Sequence, residues 1–161
     1  MFREDRQGRL FAVGDQYLDQ VGRDTFYGLL ATEGDRLFPD RMFEELYHSD
    51  NGRPCTSPGL LAKMLLLQTQ DGCSDQEAID RAHFDLRWKT ALNLELDAKP
   101  CAKSTFQEFR ARLHLNEAAE KLLARTLEEA ARIGLLKPKK IKVAIDTTPV
   151  LGRGAVKDTY N

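Results

Sequence analysis

The segment from Ser57 to Asp71 constrains this chain more than any other. Leu60, Leu61, Met64, Leu65, Leu66 and Leu67 spread apolar side chains over nearly the whole circumference of a helix. Ser57-Pro58 supplies an N-cap followed by proline at the first helical position, where its missing N–H would have had no partner anyway, and Asp71-Gly72-Cys73 stops the helix. A helix apolar on all sides is stable only when other elements sheath it. The pattern therefore predicts a central buried helix, running to about Gln70, inside a mainly α domain.

The flanking sequence offers the sheath. Asp24 can cap a short helix from Thr25 to about Ala31, and Pro39 stands where it would start a second helix carrying Met42, Phe43, Leu46 and Tyr47. Ser49 to Pro54 is dense in turn formers. Ser74-Asp75-Gln76-Glu77 is a capping box, opening a helix to about His83, with another from about Asp85 to Leu92. Ser104-Thr105-Phe106-Gln107 repeats the capping-box pattern, and the helix after it sets Phe106, Phe109 and Leu113 on one side and Gln107, Arg110 and His114 on the other. Asn116 caps a long helix whose stripe of Ala119, Leu122, Leu123, Thr126, Leu127 and Ala130 is closed by Gly134. Residues 1–23 show no sustained period and read as a loose arm; Trp88 and Phe84 read as packing residues, and His48 and His83 as isolated histidines.

After Gly134 the period changes. Lys140-Ile141-Lys142-Val143-Ala144-Ile145-Asp146 alternates apolar with polar or small residues and predicts a strand. A lone strand cannot satisfy its backbone groups, so the reading is a helical domain over residues 24–136, with residues 137–161 as the truncated beginning of an α/β domain.

Composition narrows the function classes. In 161 residues no apolar run exceeds four, as at Met64–Leu67, far short of the roughly 20 that a membrane span needs. The three cysteines, Cys55, Cys73 and Cys101, are an odd number at wide spacing and support neither a disulfide framework nor a zinc site, so a reducing cytoplasm is expected. The net charge of −1 hides an asymmetry: residues 1–100 hold 12 Lys+Arg and 18 Asp+Glu, and residues 101–161 hold 12 and 7. A basic C-terminal third admits a nucleic-acid partner. No P-loop, Gly-x-Gly-x-x-Gly or Gly-x-Ser-x-Gly pattern is present, which leaves nucleotide hydrolysis and serine esterase chemistry without support.

Two places could carry chemistry. Asp146 ends an apolar strand, a rigid position from which a carboxylate can reach a metal, although an Asp leaving a strand is also an ordinary turn residue. The face formed by Gln107, Arg110 and His114, with Lys103 before it and Arg112 beside it, has side chains able to reach base edges and phosphates, or it is a solvated helix face.

The stretch GRPCTSPGLLAKMLLLQTQDGCSDQEAIDRAHFDLRWKTALNLE, then STFQEFRARL, then VAIDTTP, resembles the N-terminal region of bacterial insertion-sequence transposases of the InsH type. Before Ser104 that family has Pro-Asp, where this chain has Lys99-Pro100-Cys101-Ala102-Lys103. The resemblance implies a DDE recombinase of the bacterial cytoplasm and nucleoid: a helical domain of helix-turn-helix-like character binding the double-stranded terminal inverted repeats, joined to a ribonuclease-H-like catalytic domain. It further implies that Asp146 is the first catalytic acid and a ligand of paired Mg²⁺ or Mn²⁺ ions in a complete enzyme, and that Lys103, Gln107, Arg110, Arg112 and His114 face DNA. With the other two acids of the triad expected beyond Asn161, this chain alone is expected to bind no metal and to be inactive. The competing expectation is a helical dimerisation module that regulates the intact transposase through the Ala/Leu stripe of the Asn116 helix.

Overall fold

A computed structural model describes residues 13–47, 56–115 and 118–135, and all regular structure among them is helical. In chain order these are α1 (Val13–Val21), α2 (Phe26–Leu37), a 3-10 helix (Asp40–Leu46), α3 (Pro58–Asp71), α4 (Asp75–Phe84), α5 (Leu86–Leu92), α6 (Lys103–Leu115) and α7 (Ala118–Arg132). None of these helices is long and apolar enough to cross a membrane. The predicted strand at 140–146, the turn at 49–54, His48 and the Asn116 cap lie outside the described residues.

Several helix ends form as their side chains dictate. Ser57 Oγ accepts from the Leu60 amide with Pro58 in the first turn, and α3 stops at Gly72 in the left-handed region, φ 60°. Ser74 and Glu77 close the reciprocal capping box at the start of α4. Asp85 serves both neighbours: its N–H ends α4 on Arg81 O, and its carboxylate receives the Arg87 amide at the start of α5.

Other boundaries differ from the sequence reading. Val13–Val21 is a helix packed against α2 and α5, where a loose arm was expected, and Leu18 is buried. Thr25 rather than Asp24 caps α2, accepting from the Gly28 amide at 3.1 Å, and the helix continues through Leu37 instead of stopping near Ala31. The segment after Pro39 winds as a 3-10 helix that buries Phe43.

The core also centres differently. α3 buries Leu60, Leu61, Met64 and Leu67, but Leu66 is 37% exposed. The most enclosed element is α5, where Trp88 to Leu92 are buried consecutively beneath α1, α2, α3 and α4. Two of those five residues are polar, and both are satisfied. Thr90 donates back to Leu86 O at 2.8 Å, and the Lys89 ammonium donates to the carbonyls of Glu95 and Ala98, each at 3.0 Å. Burial lowers the Lys89 pKa, yet these carbonyls replace the water that its charge would otherwise need. Phe84, read as a packing partner of Trp88, is instead 76% exposed and stacks on His83, ring centroids 4.0 Å apart.

Close approach between segments requires glycine at position 59. A Cβ there would lie 2.1 Å from the Phe38 carbonyl oxygen. Asp40 ties the same junction, accepting from Ser57 Oγ at 2.6 Å and from the Gly59 amide at 2.9 Å. The described cysteines, Cys73 and Cys101, are free thiols, and burial pushes the Cys101 thiol up to about 11.

At the C-terminal end of α3 one carboxylate joins four helices. Asp71 accepts from Tyr27 Oη of α2 at 2.6 Å, from Arg81 Nη1 of α4 at 2.5 Å and from Trp88 Nε1 of α5 at 2.8 Å. Its side chain is only 7% exposed. Desolvation by itself would raise the Asp71 pKa, but the three donors outweigh it and hold the carboxyl below its usual range. Replacing Asp71 with Ala strands those donors and is expected to cost about 3–5 kcal/mol in urea unfolding. Tyr27→Phe removes one hydrogen bond and is expected to cost about 1 kcal/mol, so a comparable loss in both variants would refute this account of the hub.

Candidate nucleic-acid interface

Helix α6 is held from behind. Phe106 and Phe109 are buried against α3 and α4, and Phe109 meets Phe43 edge-on at 5.7 Å between ring centroids. The expected Ser104–Gln107 capping box does not form. The helix starts two residues earlier, with Lys103 rather than Thr105 as its first residue, Ser104 is exposed within its first turn, and Gln107 turns away to another partner.

That partner is Asp75, the first residue of α4. Its Oδ2 accepts from Gln107 Nε2 at 2.9 Å, and its Oδ1 accepts from Arg110 Nη2 at 2.7 Å and from Gln68 Nε2 at 2.9 Å. Gln68 Oε1 in turn accepts from Arg110 Nη2 at 2.7 Å, so four side chains from α3, α4 and α6 form one polar cluster. The carboxylate of Asp75 only accepts and the guanidinium only donates, which fixes both glutamine amides without ambiguity. Arg110 above all, then Gln68 and Gln107, hold the Asp75 carboxyl far below the usual carboxylate range. Arg110 also lies over the Phe106 ring, 5.2 Å from its centroid.

The outward side of α6 has a different character. Lys103, Ser104, Gln107, Ala111 and His114 are exposed. Glu108 is the helix's one acid, and Arg112 pairs with it at 2.5 Å. Of the five residues predicted to face DNA, the 3.6-residue period gathers Lys103, Gln107, Arg110 and His114 on one flank. Arg112 falls on the other, 4.7 Å from the Tyr47 ring centroid. Gln107 and Arg110 are thus committed to the fold as well as placed beside the exposed flank. Sequence reading did not include Asp75 or Gln68, since Asp75 appeared only as a spacer in the capping box. Asp146 lies outside the described residues.

The direction of the Asp75 shift sets a pH dependence. A carboxyl whose folded pKa lies below its unfolded value, about 4, stabilises the fold fully above that value, and the contribution is lost as pH falls through the folded pKa. Urea unfolding across a pH series is expected to show stability declining below about pH 5, with Asp75→Asn shallower than wild type. Identical slopes for the two proteins would exclude this role for Asp75.

The sequence profile of the Transposase domain family, DUF772, matches residues 15–112. The matched span runs from within α1 to within α6 and contains both carboxylate clusters. No curated protein and no solved structure matches the chain at a significant level. Because the profile covers more than half of the sequence, including every helix that builds the core and the α6 support, the chain belongs to the DUF772 transposase-domain family.

Proposed function

We propose that this domain binds double-stranded DNA in transposition, as the N-terminal part of an InsH-type DDE transposase, and that α6 lays its outward flank on the element's terminal inverted repeats. The observation that carries this reading is the contrast between the two sides of α6. Behind, the helix is fixed by aromatic packing and the Asp75 cluster. In front, it offers Lys103, Gln107 and His114 while its one acid is neutralised by Arg112. A rigid helix with a cationic and amide-bearing flank suits both phosphate contact and base reading. The connection from α5 to α6 spans residues 93–102, longer than the three- or four-residue turn of a helix-turn-helix, so the likeness to that motif rests on the presentation of α6.

For the complete enzyme that the resemblance implies, Mg²⁺ or Mn²⁺ would supply positive charge at the phosphodiester, with Asp146 as its first acid ligand. Among the described residues no group of three or more His, Cys, Asp or Glu is placed to hold a metal ion.

A second reading rests on α7. Leu123 and Leu127, one turn apart, are 60% and 48% exposed, a stripe suited to pairing with another helix in a regulatory oligomer. Gel shifts on terminal-repeat duplex across a salt series separate the two. DNA binding predicts affinity that falls steeply with salt, and Lys103→Ala is expected to lower the magnitude of the log–log slope by about 1. Absence of binding at low salt, together with a mass that rises with protein concentration, would favour the oligomer.

A further inference from the structure

Gln107 is exposed, yet one end of its amide is already in use. Its Nε2 donates to Asp75 Oδ2, and Asp75 is held in place by Arg110 and Gln68 from two other helices. An ionised carboxylate cannot donate, so the amide nitrogen must face Asp75 and the carbonyl Oε1 is the group left available on the exposed side. The nitrogen carries two hydrogens and spends one on Asp75. The other stays on the same planar amide as Oε1, so the group keeps one donor and one acceptor for a further partner.

We infer that Asp75 is a positioning residue for base recognition, orienting Gln107 so that α6 reads an adenine in the major groove. The complementarity is specific. Adenine presents an N6 amino donor next to the N7 acceptor, which an amide meets with Oε1 and the remaining N–H. Guanine and thymine present acceptors at O6 and O4, which would face Oε1 and repel it. A freely rotating glutamine could exchange its two ends to suit either class of base. The Asp75 contact removes that freedom, because turning the amide over would set two acceptors against each other. This inference rests on the proposed DNA binding by α6, and it adds which residue sets the base preference and why.

The substitution Asp75→Asn tests the geometry. Arg110 donates only and so keeps the asparagine oxygen, which leaves the asparagine nitrogen facing Gln107. Gln107 must then turn Oε1 inward and present its NH₂ outward. Wild type, Asp75→Asn, Gln107→Ala and the double variant would each be selected against a duplex pool with a randomised centre, then titrated on the enriched duplex and on one with the preferred adenine changed to guanine. Wild type is expected to favour adenine at one position by about tenfold. Gln107→Ala is expected to abolish that preference, Asp75→Asn to abolish or reverse it, and the double variant to show no preference, as Gln107→Ala does alone. Gln107 is exposed, so its alanine variant keeps the test decisive even where Asp75→Asn lowers stability in a thermal melt. An adenine preference that survives Gln107→Ala, or wild-type binding without any base preference, would overturn the inference and leave DNA binding standing. Failure of wild type to bind any duplex would overturn both.

Discussion

The Asp71 carboxylate sits where an isolated helix would least favour it, at a C-terminal end already carrying partial negative charge. It is stable there because three neighbouring helices each direct a donor at it: Tyr27, Arg81 and Trp88. The hub therefore couples the end of α3 to the positions of α2, α4 and α5 at once, and displacing any of them would expose an unpaired buried group. Asp75 lies on the other side of the Gly72 turn and plays the corresponding part for α6. One tight turn thus places two acceptor-only groups back to back, the first organising the interior and the second orienting the helix proposed to meet DNA.

Those parts of the fold that depend on neighbouring residues were legible in the sequence. Ser57 with Pro58, Ser74 with Glu77, and Asp85 at the start of α5 all involve partners within one turn, and all form. Ser104 shows the limit of that logic. Its spacing to Gln107 is right for a capping box, but Gln107 finds Asp75 across the helix interface instead, a partner 32 residues away in sequence. The same competition from tertiary contacts hid the centre of the core. Lys89 and Thr90 are polar residues with no local pattern to mark them as buried, and only their acceptors explain why α5 can be enclosed more completely than the leucine-rich α3.

The candidate site was legible to the same degree. Periodicity alone gathered Gln107, Arg110 and His114 on one flank of α6, because helical geometry needs no knowledge of the neighbours, whereas Lys103 was set ahead of the helix and joins the flank only because α6 starts there. It could not separate the residues that also hold the helix in place from those left to the solvent. Arg110 meets Gln68 across 42 residues and Asp75 across 35, and no local pattern announces either contact. α1 was missed for a related reason. Val13–Val21 is short, and what ties it to the domain is packing on α2 and α5, which its own spacing does not encode.

The Lys89 ammonium grips its loop by main-chain oxygens, those of Glu95 and Ala98, and by no side chain. A carbonyl oxygen is the same at every residue, so this grip does not depend on the identity of the side chains at 95 and 98. Side chains hold the rest of the connection: Leu94 is buried, and Ala98 and Cys101 pack against the core. The path that leads into α6 at Lys103 is thus set twice over, by main-chain oxygens at Glu95 and Ala98 and by apolar packing at Leu94 and Cys101.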